Sequence, residues 1–221
     1  MRYLIVALLV GTVTSVSGAQ NEAILAETER YLACLDRVET EPEEAFEDAL
    51  TWRMHGGGWP ARHCEARALI ASGDVSGGAA MLEALASETR PGSDEQMRVS
   101  QLFEAGNAWL DYGQPADARR AYDAGLALFP DDRGLLAGRA RASADLEDWD
   151  ALAADGDQLI ALSPASADGW HFRAQARLEQ GDLDGSEADM NEARQRAPEQ
   201  IEILVLRGRI IEARRLAAAE D

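Results

Sequence analysis

Three residue types in this chain could carry chemistry, and all three are scarce or lopsided. Histidine occurs three times, at His55, His63 and His171, and cysteine twice, at Cys34 and Cys64. All 21 basic residues are arginine and none is lysine. Without lysine the chain has no Schiff-base amine, no phosphate-loop lysine and no Ser-x-x-Lys acylation motif. It also lacks G-x-S-x-G, G-x-G-x-x-G and H-E-x-x-H, the spacings that expose a nucleophile, cradle a dinucleotide or hold a catalytic zinc. His55 precedes three glycines, His63 precedes a cysteine and His171 follows Trp170. Each reads as a surface or packing histidine. Paired acids such as Asp131-Asp132 and Glu43-Glu44 stand near helix starts, where they complement the macrodipole. No catalytic residue and no cofactor is expected.

The cysteines take their meaning from the first nineteen residues. Met1-Arg2-Tyr3 supplies one positive charge, Leu4 to Val10 is uninterrupted apolar sequence, and Ser17-Gly18-Ala19 ends a small, polar stretch. That order is a secretory signal peptide over residues 1–19, cut before Gln20. The rival reading is an uncleaved anchor, but an apolar run of about ten residues falls short of the roughly 20 that span a bilayer. In an exported chain Cys34 and Cys64 read as one disulfide. Closing a loop of about 30 residues stabilises the fold by roughly 3–4 kcal/mol on the chain-entropy model. A zinc site from His55, His63 and Cys64 is the alternative. It matches no standard spacing and has no evident fourth ligand. Export makes the protein periplasmic if the source is Gram-negative.

The charge narrows the partners. Forty acids against 21 arginines give a net charge of −19. Such a chain repels phosphate backbones and anionic lipid, so neither nucleic acid nor a membrane surface is expected.

A period organises the rest. Pro130, Pro164 and Pro198 lie 34 residues apart, as do Arg139, Arg173 and Arg207. Gly113 and Gly181 are separated by two such periods. Between the prolines, apolar and small residues recur at three and four, as in Leu102, Ala105, Gly106 and Trp109, which is helical periodicity. Glycines break the helices in mid-period and prolines at the end. Each period therefore holds two antiparallel helices. Small residues at Gly106, Ala140, Ala174 and Gly208 let the pair approach closely, and Trp109, Tyr122, Leu136, Trp170 and Met190 fill the space between pairs.

These positions resemble the tetratricopeptide-repeat family, whose signature is W-x2-L-G-x2-Y, then A-x3-F, then P. A repeat starting at Val99 matches with Leu102, Gly106, Trp109, Ala118, Tyr122, Gly125 and Pro130. Those starting at Arg133 and Ala167 match less fully, and Ile201 opens a last helix with no second half. A further repeat is expected from Trp59, and residues 20–58 form a more divergent helical pair. The resemblance implies an all-α, right-handed superhelix of about five helix pairs, the divergent pair at 20–58 followed by repeats over 59–221 that end in a C-terminal capping helix.

In that architecture the first helix of each pair lines a concave wall. Positions sharing that face put Arg67, Phe103, Asn107, Arg141, His171, Gln175 and Arg209 on it. Arginine forks bind carboxylates bidentately, so the wall suits a peptide or protein segment carrying them. The competing reading pairs each arginine with a nearby acid, which merely solubilises the surface. Family members that grip acidic chaperone tails use a two-carboxylate clamp of lysines, asparagines and arginine. Only Asn107 stands at a clamp position here. Arg139, Arg173 and Arg207 occupy a position that is usually leucine; their stems are expected to pack between helices, with the guanidinium at the edge. The sequence thus reads as an exported interaction scaffold. The alternative is an envelope-assembly module that self-associates through the apolar Ile201–Leu216 helix.

Overall fold

Aspartate caps five of the described helices. The carboxylates of Asp74, Asp94, Asp132, Asp148 and Asp182 each accept a hydrogen bond from a backbone N–H two or three residues on, at 2.9–3.2 Å. Each cap satisfies an orphan donor of a first turn and places negative charge at the positive end of the helix. Pro42 and Pro115 open two others, where a missing N–H costs nothing. The computed structural model describes residues 13–88 and 94–220. Among them run eleven helices and no strand: α1 (Val13–Thr40), α2 (Pro42–Met54), α3 (Gly58–Ser72), α4 (Val75–Ser87), α5 (Glu95–Asp111), α6 (Pro115–Leu126), α7 (Arg133–Asp145), α8 (Trp149–Leu162), α9 (Asp168–Glu179), α10 (Leu183–Arg196) and α11 (Ile201–Glu220). None of the described helices is long and apolar enough to cross a membrane. Residues 1–12 of the expected export segment lie outside the described residues, and α1 runs unbroken past Ala19 and Gln20.

The chain forms two compact units, Met1–Ser72 and Gly73–Asp221. In the first, α1, α2 and α3 pack on one another. Val38, Ala45, Ala49, Cys64 and Ala68 form the core, and the sulfurs of Cys34 and Cys64 lie at disulfide-bonding distance, tying α1 to α3. The zinc alternative is not assembled. His63 is buried in a stack on Trp59, with ring centroids 5.4 Å apart, and its Nδ1 shares a 2.8 Å hydrogen bond with the Tyr31 hydroxyl. His55 spends its Nδ1 on the Thr51 carbonyl. No group of three or more potential metal ligands exists among the described residues.

In the second unit each helix from α4 to α11 packs on the next, and α5, α7, α9 and α11 also touch in sequence as a row. The small residues at Gly106, Ala140 and Ala174 do what their spacing implies, whereas Gly208 on α11 is exposed and has no helix against it among the described residues. Tyr122 on α6 is fully buried because Gly106 and Gly138 leave room for its ring; a Cβ at either would lie within 2.5 Å of it. Gly113 and Gly181 end α5 and α9 with positive φ, the left-handed conformation that a Cβ disfavours. Midway between them, 34 residues from each, Glu147 adopts φ 57° and is the only non-glycine among the described residues with positive φ. A left-handed L-residue costs about 1 kcal/mol. Glu147→Gly is therefore expected to raise stability by about 1 kcal/mol, less the added freedom of the unfolded chain. Urea unfolding checks this, and an unchanged or lower midpoint contradicts it.

The arginine ladder departs from expectation. The Arg139 and Arg173 guanidinia do not rest at the edge but turn onto buried aspartates sixteen residues on. Arg139 donates to Asp155 through Nε at 3.1 Å and Nη2 at 2.6 Å, and Arg173 to Asp189 through both at 2.7 Å. Each also binds an exposed aspartate sixteen residues back, Asp123 at 2.8 Å and Asp157 at 2.6 Å. Burial pushes the Asp155 carboxyl up and Arg139 pulls it back. The fork satisfies a carboxylate that would otherwise be buried alone, which edge placement could not do. Arg207, the third member, is exposed, and no carboxylate binds it among the described residues.

Candidate functional site

The row formed by α5, α7 and α9 carries most of the residues expected on the concave wall. Phe103 projects from α5 with 36% of its surface exposed. Its ring lies against Tyr122, centroids 6.3 Å apart and tilted by 55°, and against α7 at Gly134, where a Cβ would sit 3.4 Å from the ring. One turn further along α5, the Asn107 side-chain carbonyl accepts a 2.8 Å hydrogen bond from the Tyr122 hydroxyl. Tyr122 thus reaches through from the second layer and holds Asn107 in one orientation, its amide nitrogen free to donate. Burial raises the Tyr122 pKa strongly, so the hydroxyl stays protonated and remains the donor.

Beside this group lies an open hollow of about 600 Å³, lined by Asn107, Leu110, Asp111, Arg141 and Asp145. Arg141 is exposed and makes no ion pair among the described residues, although two aspartates line the same hollow. Its guanidinium is available to a ligand. Asp111 and Asp145 were not singled out from the sequence, yet they belong to a ladder of period 34 with Glu179. That spacing was the signal that could have found them.

The remaining expected residues fall in three places. His171 and Gln175 are partly buried on α9, the next helix of the row. Arg209 on α11 is ion-paired with Glu179. Arg67 lies on α3, in the unit Met1–Ser72, and is half-buried. The hollow therefore gathers Asn107 and Arg141, with Phe103 at Tyr122 alongside.

Burial lowers the His171 pKa below the ordinary 6.5, against the opposing pull of Glu202 and Asp168. The folded state then resists a proton that the unfolded chain accepts, so stability falls as pH drops through the unfolded value. His171→Gln is expected to flatten that part of the stability–pH curve between about pH 7 and 5. A variant with the wild-type slope contradicts this assignment.

No protein-family model matches the sequence, and no curated protein does. Solved structures do match. The first TPR domain of human RPAP3 aligns at 24% identity over 55% of this chain and 94% of that one, with a TM-score of 0.50. The first TPR of Spaghetti, bound to the HSP90 peptide SRMEEVD, aligns at 22% identity over 57% and 96%, with a TM-score of 0.51. A MamA double mutant from strain RS-1 aligns at 17% identity over 80% and 95%, with a TM-score of 0.63. At these identities the likeness concerns backbone architecture. Helix pairing, a 34-residue period and these superpositions agree: the chain has the tetratricopeptide-repeat fold.

Proposed function

We propose that this protein is an exported scaffold that binds a polypeptide segment along the α5–α7–α9 wall, with Arg141 and Asn107 as its central contacts. The observation that carries the reading is Arg141, an exposed arginine with no carboxylate partner among the described residues, in a chain with almost twice as many acids as arginines. Most of the other arginines of the repeats are paired. An unpaired guanidinium in a hollow is available for a ligand carboxylate, and the fixed Asn107 amide beside it suits a backbone carbonyl. Phe103 supplies an apolar contact. The structural neighbour seated on SRMEEVD makes peptide binding a natural use of this architecture.

Asp111 and Asp145 refine the ligand class. They give the hollow one positive and two negative side chains, so an acid-rich run is repelled overall. A segment with one carboxylate for Arg141 and a basic residue next to it fits both charges. Export rests on the charged, apolar and small-residue order of residues 1–19 and on the cysteine pair.

Peptide display on the mature protein tests this. Wild type is expected to enrich segments with an acidic residue adjacent to a basic one. Arg141→Glu is expected to weaken the best of them by about tenfold or more while leaving the helical signal unchanged. Equal enrichment by both proteins sinks the groove reading.

A further inference from the structure

α11, the last described helix of the second unit, is covered on one side only. In α7 the fourth, eighth and eleventh positions of the repeat are Leu136, Ala140 and Ser143, all fully buried. In α11 the same positions are Leu204, 44% exposed, Gly208, exposed with nothing within 4 Å of where its Cβ would be, and Ile211, 56% exposed. The apolar residues of α11 that are covered, Ile203, Leu206 and Ile210, belong to the clusters formed with α9 and α10. The uncovered side thus has the composition of a helix-packing surface: two large apolar residues around a glycine notch.

The charge beside it says what kind of helix fits. On α7 and α9 the seventh repeat position is an arginine that forks onto an aspartate of the following helix, Arg139 to Asp155 of α8 and Arg173 to Asp189 of α10. On α11 that position is Arg207, exposed and without an ion partner among the described residues. Two filled rungs define the third. The aspartate comes from the helix that covers the small residue, and small or apolar residues stand three before and four after it, as Leu152 and Leu159 do around Asp155.

We propose that the uncovered side of α11 is a docking seat for one amphipathic helix of another polypeptide, whose aspartate binds Arg207 in the manner of Asp155 and Asp189. This seat is separate from the α5–α7–α9 hollow and does not depend on its reading. A second copy docking through its own α11 fits less well. That helix contains no aspartate, and its four arginines outnumber its three glutamates, so it brings net positive charge to Arg207.

The probe is a synthetic peptide of residues 147–163, the helix that fills this seat on α7, held helical by a lactam staple on its exposed side and labelled with fluorescein. It is titrated with the full-length, disulfide-bonded protein and followed by anisotropy. The expected result is saturable one-to-one binding, weakened by about tenfold or more by Arg207→Glu in the protein or Asp155→Asn in the peptide, and unchanged by Arg141→Glu. Arg207 makes no ion pair among the described residues, so its substitution leaves the helices intact, which circular dichroism verifies. Absence of saturation at the highest soluble concentration overturns the proposal, as does equal binding by wild type and Arg207→Glu. A wild-type dimer in sedimentation that Leu204→Glu dissociates also overturns it, because a second copy then occupies the seat.

Discussion

Asp189→Ala is expected to destabilise the second unit by about 3–5 kcal/mol, nearer the lower figure because Arg173 retains some solvent. Asp189 is buried, yet it accepts two bonds from Arg173 at 2.7 Å and one from Arg177 at 2.8 Å. Removing it leaves Arg173 only the exposed Asp157 and leaves Arg177 at 3.8 Å from Asp182. Two guanidinia then lie partly desolvated without a buried counter-charge. The loss therefore exceeds that of an exposed ion pair, which is worth about 0–1 kcal/mol. Replacing both Arg173 and Asp189 by leucine is expected to cost less than Asp189→Ala alone, since no charge is then left buried. Urea unfolding of wild type, Arg173→Leu, Asp189→Leu and the double variant measures the coupling. A cost under about 1 kcal/mol for Asp189→Ala would mean that the Arg173–Asp189 pair does not hold the repeat together.

The second large effect belongs to the first unit. Cys34→Ser with Cys64→Ser releases a cross-link of sequence separation 30, which on the chain-entropy model lowers stability by about 3–4 kcal/mol. Cys64 is fully buried among Val38, Ala45, Ala49 and Ala68, so the serine hydroxyl adds a desolvation cost. The unit has three helices among its described residues, and residues 21–30 of α1 are exposed throughout, so little apolar burial remains to hold α1. Hydrogen exchange read by mass spectrometry locates the effect. Faster exchange is expected across residues 31–72, with peptides from 99–198 unchanged. Unaltered exchange over 31–72 contradicts the structural role of the bridge.

Much of this architecture was legible from period alone. Three prolines and three arginines at spacing 34 are enough to require a repeat, and small residues at Gly106, Ala140 and Ala174 mark where helices touch. Side-chain pairing across helices was less legible, because it depends on which faces the packing brings together. Arg139 and Arg173 looked like amphipathic stems; that they bury a carboxylate required seeing α8 and α10 swing Asp155 and Asp189 beneath them. The wall residues divide for the same reason. Arg141 and Arg209 occupy one repeat position, yet Glu179 captures only the latter. Glu147 shows the limit in the other direction. Its left-handed backbone is imposed by the repeat geometry that glycine serves at Gly113 and Gly181, and a glutamate there gives no local sign of it.

The groove is tested most directly by where a bound segment falls. A peptide selected on the wild-type protein is titrated into the isotopically labelled chain, and backbone and side-chain amide shifts are followed by NMR. The largest changes are expected at Phe103, Asn107 and Arg141, including the Asn107 side-chain amide, and they are expected to vanish in Arg141→Glu. Changes centred on α6, α8 and α10 with Asn107 unmoved would contradict the groove reading, because the ligand would then be reading the second layer of helices.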